Sequence, residues 1–301
     1  MIAPARHVQS PNSTFVTEAA VAAKGEYATR PRTRSGSGFA SSLGSGAVAT
    51  TSGLFLLFLT LPLAALLWRS WSGGDFWASV RQPIVLQALL LTVITTALTV
   101  LLSIILGTPL AFVLARRSFP GKHAIEAAAT LPLVLPPLVA GVALLITFGR
   151  RGLLGAQLGA LGVEVPFTTA AVVMAQLFVA GPYYLRAARL GFAAIPRDLE
   201  EAALMDGAAG WQSFRHVTLP LALPGVVSGM VLCAARAFSE FGATLMFAGN
   251  IGGRTQTMSL AIETAIQTDL GSALALSVVL VVIAAVALAI PLLLVRGSEV
   301  Q

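Results

Sequence analysis

Charged residues are scarce in this sequence. Of its 301 residues, 11% are Asp, Glu, Lys or Arg, whereas 56% are hydrophobic. A soluble domain carries about 25% charged residues, so this chain has too few to cover a surface that faces water. The composition excludes an ordinary soluble domain and favours an all-α membrane protein that crosses the lipid bilayer several times.

Cysteine and histidine are also scarce. The single cysteine, Cys233, lies inside an apolar run, and there are three histidines, so neither an internal disulfide nor a zinc site is predicted. The sequence lacks the Gly-x-x-x-x-Gly-Lys-Ser/Thr pattern of a phosphate-binding loop. We expect no catalytic site, no metal and no cofactor in this chain. If the protein uses ATP with Mg²⁺, a partner must bind and hydrolyse it.

Six apolar runs are long enough to cross a bilayer, which needs about 20 residues. They are Val48–Trp68, Ile84–Ala115, Ala124–Phe148, Thr168–Arg186, Leu223–Ala248 and Ala273–Val295. The second run is longer than a bilayer requires, so we expect it to tilt, to break near Pro109 or to project from the membrane. Pro132, Pro136 and Pro137 predict a kink in the third run.

The basic residues indicate an orientation rather than nucleic-acid binding, because most lie in short segments between the apolar runs. With the N-terminus inside, 13 Lys and Arg lie on the inner side and 5 on the outer side, which predicts that both termini are cytoplasmic. Without the N-terminal tail the counts are 8 and 5. Residues 1–47 are predicted to be a disordered tail, residues 48–296 the transmembrane domain, and residues 297–301 a C-terminal tail.

The segment 190–220 lies between the fourth and fifth runs, on the predicted cytoplasmic side. Asp198 is predicted to cap a helix that begins near Leu199, with Glu200 and Glu201 in its first turn. Gly207 is predicted to end that helix. A short helix with small residues on one side suits a groove on another protein.

The spacing in this segment resembles the EAA loop of bacterial ABC importer permeases. Glu201-Ala202-Ala203 is followed by Gly207 and then by Leu219-Pro220, with Val217 where the family usually has isoleucine. The resemblance implies that the loop docks on a cytoplasmic ATPase. The residues assigned to ATPase coupling are Glu200, Glu201, Ala202, Ala203, Asp206, Gly207, Leu219 and Pro220.

Several other motifs resemble the molybdate branch of this family, although sulfate and thiosulfate permeases share some of them. They are Ala115–Lys122, Leu131–Pro137, Gly149–Gly155, Glu240–Asn250 and Arg254–Thr257. The resemblance implies a six-helix type I importer fold in the bacterial inner membrane. It also implies a homodimer with two ATPase subunits and an external oxyanion-binding protein. The implied cargo is molybdate, with tungstate or sulfate and thiosulfate as alternatives.

Two features inside the runs are candidates for the translocation pathway. Arg236 and Glu240 share one face of the fifth run, where they either border the route or form a structural pair. Hydroxyl residues share one face of the second run, where they either line the route or pack against a neighbouring helix. The tentative pathway residues are Arg236, Glu240, Thr92, Thr96 and Thr99.

Two functions of other classes are alternatives to an importer. A secondary transporter driven by an ion gradient would need ion ligands within the membrane and usually internal repeats. An intramembrane enzyme would need paired carboxylates, or a nucleophile with its base. Neither pattern is evident in the sequence, and neither would explain the segment 190–220.

Overall fold

The computed structural model describes residues 38–72 and 76–296, and every regular element in these ranges is helical. Most of the predicted N-terminal tail (residues 1–37 of 1–47) and the whole predicted C-terminal tail (297–301) lie outside the described residues. The first helix begins at Gly38 rather than at Val48, so residues 38–47 are helical although the sequence placed them in the tail. The chain divides after Leu61, within the first helix, and the candidate sites described below all lie in the unit that begins at Pro62.

The helices are short near the predicted loops and long along the predicted spans. In chain order they are α1 (Gly38–Ser72), α2 (Phe76–Val80), α3 (Pro83–Arg116), α4 (Lys122–Thr130), α5 (Pro137–Phe148), α6 (Gly155–Ala160), α7 (Thr169–Ala193), α8 (Arg197–Met205), α9 (Gly210–Ser213), α10 (Leu219–Phe238), α11 (Gly242–Ala248), α12 (Met258–Thr268) and α13 (Leu270–Arg296). A 3₁₀ turn follows α4 at Leu131–Leu133, and a π turn joins α9 to α10 at Phe214–Thr218.

Three stretches can each cross a membrane by length and composition. They are Gly46–Ser72, Pro83–Arg116 and Gly210–Phe238. A fourth span is possible if the bent pair Lys122–Leu133 and Pro137–Phe148 crosses as one unit. The helices α7 and α13 cover the remaining two runs, and the count of six spans stays a prediction.

Prolines act differently in the second and third runs. The third run bends by 114° between Leu133 and Pro137, which confirms the predicted kink. The second run is one helix of 34 residues that continues through Pro109, so it does not break there. At 1.5 Å per residue it is roughly 50 Å long, and tilting or projection remains the expectation for it.

The fifth run is interrupted, contrary to the continuous span predicted from its composition. Helix α10 ends at Phe238, and α11 begins at Gly242. The short α11 packs closely on α5, since a Cβ atom at Gly242 would lie 2.9 Å from the Cβ of Pro137. This close packing and the polar residues between the two helices explain why one straight helix does not form.

Small residues let α7 and α10 approach closely. A Cβ atom at Gly225 would lie 2.5 Å from the Cα of Gly191 on α7, so the two backbones meet where only glycine fits. The core beside this crossing combines large and small side chains of α3, α7 and α10. It includes Leu114, Tyr184, Phe192, Ala222 and Cys233. This core holds the helix ends on which the segment 194–218 rests.

Candidate functional site

Helix α8 begins two residues earlier than the sequence predicted. It starts at Arg197 after Pro196, and no side chain caps its N-terminus. Asp198 therefore lies within the first turn together with Glu200, and the prediction that Asp198 caps the helix is wrong. Pro196 explains the difference, because proline fits just before a helix and sets the backbone direction at its start.

The end of α8 is as predicted. Gly207 has a φ of +89°, a conformation that glycine adopts more readily than other residues. Its amide donates to the carbonyl of Leu204 at 3.1 Å, and the amide of Ala208 donates to the carbonyl of Ala203 at 3.0 Å. These two bonds form a Schellman motif, so Gly207 fixes where the chain leaves the helix.

Most of the surface of α8 is open to a partner, except around Glu200 and Ala203. Glu201, Ala202 and Asp206 are exposed, and Met205 beside them is 88% exposed. Leu199 and Leu204 are exposed as well. A helix that presents acidic and apolar side chains together has the composition of a surface that another protein covers.

Glu200 points in another direction, towards the ends of two long helices. Its Oε1 accepts hydrogen bonds from Nη2 of Arg116 at 2.8 Å and from the hydroxyl of Thr218 at 2.7 Å. The other terminal nitrogen of Arg116 donates to the carbonyl of Ile195 at 3.0 Å. Arg116 is the last residue of α3, and Thr218 ends the π turn before α10, so one carboxylate oxygen joins three elements.

Leu219 and Pro220 are separated from the other predicted coupling residues. They begin α10, and they are part of a helical stretch that runs from Gly210 to Phe238. The eight predicted residues therefore form two groups. One group lies on α8 and at its end, and the other lies at the base of a long apolar helix.

Arg236 and Glu240 form a second charged site. Nη2 of Arg236 lies 2.7 Å from Oε2 of Glu240, whose side chain is 0% exposed. The two atoms are in ion-pair contact without the alignment of a hydrogen bond. The other oxygen, Oε1, accepts from the amide of Ala243 at 2.8 Å. Glu240 thus lies in the break between α10 and α11 and caps the second of these helices.

The predicted threonine face of α3 is buried, and its members differ in their contacts. Thr92 accepts from the amide of Met258 at 2.8 Å, and Thr99 donates to Oε1 of Gln176 at 3.0 Å. These bonds join α3 to α12 and to α7. The hydroxyl of Thr96 is buried without a hydrogen-bond partner in the described part of the chain. Thr96 lines a cavity of about 330 Å³ together with residues of α10 and α13.

The described residues contain no group of three or more His, Cys, Asp or Glu side chains that could hold a metal ion.

Comparison with protein families identifies relatives of this chain. The family described as the binding-protein-dependent transport system inner membrane component matches residues 103–298.

The chain belongs to this family. It is therefore a multi-pass protein of the inner membrane, as the sequence predicted.

Two relatives of this permease share its sequence over most of their length. The molybdenum transport system permease protein ModB of Mycobacterium tuberculosis is 45% identical over 219 residues, which is 72% of this chain and 82% of that protein. The protein of the same name from Escherichia coli K12 is 42% identical over 188 residues, or 62% of this chain and 82% of that protein. The resemblance to the molybdate branch is thereby confirmed.

A solved structure shares the fold of the permease. It belongs to a bacterial ABC transporter involved in the import of the acidic polysaccharide alginate. The TM-score is 0.68 with 18% identity, over 85% of this chain and 95% of that chain. At such low identity the similarity establishes the helical fold of an ABC transporter membrane subunit and nothing about the cargo.

Sequence reasoning missed three residues that bond to the predicted site residues. Arg116 was interpreted as a topology determinant and as part of the motif Ala115–Lys122, and no role was predicted for Thr218 or Gln176. An arginine at the end of an apolar run is common on the inner side of membranes, so nothing in the sequence indicated that Arg116 pairs with Glu200. Gln176, a polar residue in an apolar run, was a usable signal, because such residues are costly to bury without a partner.

Proposed function

We propose that this permease is the membrane subunit of an ATP-driven ABC importer that carries molybdate into the cell. Its similarity to two molybdenum transport permeases, along most of their length, is the observation that carries this proposal. Tungstate and sulfate are also tetrahedral dianions, and thiosulfate is a related dianion, so they are the alternative cargoes. Uptake assays in cells that lack other molybdate transporters test the assignment. Molybdate uptake that sulfate outcompetes at equal concentration would favour the sulfate alternative.

We propose six spans with both termini in the cytoplasm. Each of the six apolar runs is helical over most of its length, the third and the fifth as two helices each. The excess of basic residues on one side supports this orientation. In this arrangement α8 and the ends of α3 and α10 face the cytoplasm. A thiol reagent that cannot cross membranes tests it, after Ala202 is replaced by cysteine in a Cys233→Ser background. Labelling from the cytoplasmic side only is expected.

The proposed assembly is a homodimer with two cytoplasmic ATPases and an external oxyanion-binding protein. The exposed face of α8 would dock on the ATPase, which binds ATP and Mg²⁺. Closure of the ATPases on ATP would draw the two α8 helices together and open the route outward, and hydrolysis would reset it. The acidic and apolar composition of this face supports a protein partner rather than lipid or nucleic acid.

Replacing Glu201 by Lys or Gly207 by Asp tests the docking proposal. The first substitution reverses a charge on the exposed face, and the second places a side chain at a φ of +89°. Both variants are expected to insert in the membrane but to lose coupled uptake. Gly162→Asp is the matched control, since Gly162 also has positive φ and open space around it, but lies between α6 and α7. Normal uptake by both α8 variants would refute the docking assignment.

The proposed route passes Arg236 and Glu240 of the fifth run and Thr96 of the second. Arg236 would attract a passing dianion while Glu240 repels it, so the cargo would pass without being held tightly. Thr96 faces a cavity, whereas Thr92 and Thr99 are engaged with neighbouring helices. Arg236→Gln is expected to slow uptake at saturating anion while ATPase binding is retained, and unchanged uptake would remove Arg236 from the route.

The alternative hypothesis, a secondary transporter driven by an ion gradient, predicts different uptake behaviour. An importer driven by ATP should co-purify with an ATPase, and vanadate should inhibit its uptake. An ion gradient imposed across vesicles without ATP should not drive uptake. Uptake under that gradient, in the presence of vanadate, would favour the secondary transporter.

A further inference from the structure

We propose that Glu200 is a positioning residue that ties α8 to α3 and α10, and that it does not contact the ATPase. This inference rests on the proposed coupling function and divides the acidic residues of α8 between two roles. We call the bonds of Glu200 with Arg116 and Thr218 the α8 latch. Glu201 and its exposed neighbours remain the surface for the partner.

The latch supplies the short side-chain bonds that hold α8 against α3 and α10. None of the residues of α8 is buried, so apolar packing contributes little to its position. Short connectors, residues 194–196 and 206–209, flank the helix. Within residues 38–72 and 76–296, the only other side-chain bond from α8 to α3 is from Nη2 of Arg197 to the carbonyl of Arg116, at 3.3 Å and exposed. Among the described residues, the bonds of Glu200 are the short, partly buried ones.

The carboxylate of Glu200 is already paired with an arginine of the same chain. The side chain of Arg116 is 9% exposed and that of Glu200 is 20% exposed. A buried guanidinium that loses its carboxylate is strongly destabilised, because its charge is then uncompensated away from water. Glu200 therefore cannot turn to a partner protein without leaving Arg116 unpaired.

Adjacent residues on a helix point about 100° apart, and this separates Glu200 from Glu201. Glu200 points to the ends of α3 and α10, whereas Glu201 is exposed. A displacement of α8 by a docked ATPase would act through the latch on both long helices at once. The two neighbouring glutamates thus have complementary roles, one in contact with the partner and one in contact with the membrane helices.

Hydrogen exchange on the purified permease in detergent tests the latch without any partner. Glu200→Ala and Arg116→Ala are each expected to speed amide exchange in residues 198–206 by about tenfold. The double variant should show less than the product of the two effects, since both changes remove the same Arg116–Glu200 bond. Glu201→Ala is the matched control and should leave this exchange unchanged. Thr218→Val tests the same latch by a milder change if Arg116→Ala fails to fold. Wild-type exchange in Glu200→Ala, or additive effects in the double variant, would overturn the proposal.

The full transporter, with ATPase and binding protein in proteoliposomes, tests the functional role. Glu200→Ala should retain the ATPase on co-purification but hydrolyse about tenfold more ATP per anion transported, because docking no longer moves α3 and α10. Glu201→Lys should instead lose the ATPase. If Glu200→Ala loses the ATPase to the same extent, Glu200 is a contact residue and the latch is refuted. If Glu201→Lys keeps the ATPase and normal uptake, the docking proposal fails while the exchange result still decides the latch.

Discussion

In two Arg–Glu pairs of this permease, the charged atoms of the two side chains are nearly the same distance apart, but the pairs have different structural roles. Arg236 and Glu240 are four residues apart, and their pair occupies a break in a single apolar run. Arg116 and Glu200 are 84 residues apart, and their pair joins α8 to the end of α3. The first pair stabilises a local change of backbone direction, whereas the second connects separate elements.

The difference shows that distance and charge do not by themselves reveal a role. Glu240 is fully buried and its second oxygen caps α11, so both of its oxygens serve local structure. Glu200 uses one oxygen for two donors that belong to two different helices. A pair that joins elements can transmit motion between them, whereas a pair within one run stabilises that run and does not connect it to another element.

Removal of Glu240 is expected to have the largest effect on stability. Glu240→Ala leaves Arg236 without its carboxylate and α11 without its cap, which should cost about 3 kcal/mol. Unfolding of the purified permease in detergent measures this loss. Glu240→Gln keeps an acceptor for the amide of Ala243 and should lose less. Equal losses in the two variants would show that the charge, rather than the cap, matters.

Arg116→Lys should have the next largest effect. Arginine bonds to Glu200 and to the carbonyl of Ile195 with two nitrogens held in a fork, which a lysine ammonium cannot reproduce. We expect a loss of about 2 kcal/mol in the free energy of unfolding. Arg117→Lys, at the neighbouring exposed position, is the control. A loss in the control as large as in Arg116→Lys would contradict the role given to the latch.

Thr218→Val isolates one bond of the latch. Valine has nearly the shape of threonine but cannot donate to Glu200, so a loss of about 1 kcal/mol is expected. Thr268→Val is a suitable comparison, since among the residues that the structure describes the hydroxyl of Thr268 bonds only to carbonyls of its own helix. Thermal unfolding of both variants gives the difference, which should vanish in a Glu200→Ala background.

The exposed pair Arg150–Glu164 should have the smallest effect. Its atoms lie 2.7 Å apart, as close as in the buried pairs, but the side chains are 78% and 61% exposed. Exposed ion pairs contribute less than about 1 kcal/mol, so Arg150→Ala should change the unfolding free energy by less than about 0.5 kcal/mol. A larger loss would show that distance alone predicts the strength of these pairs.

The predictions from sequence succeeded where the cause was local. Gly207 ends α8 because few other residues adopt its backbone conformation, and the prolines at 136 and 137 bend the third run because of their own geometry. The start of α8 was misplaced, because Asp198 and Pro196 both favour a helix start and the sequence did not show which would prevail. The break at Ser239–Phe241 was missed, since it depends on how α11 packs on α5.

Composition and local pattern determined that this chain enters a membrane, that it is helical, and that the segment 190–220 carries a short helix. These properties follow from residues that are neighbours in the chain. Only the tertiary structure decided that Glu200 and Glu201, one residue apart, face different surroundings. Helical geometry separates their directions by a fixed angle, but which of them contacts Arg116 depends on where α3 ends in space. A contact between residues 84 positions apart produces no periodic pattern in the sequence.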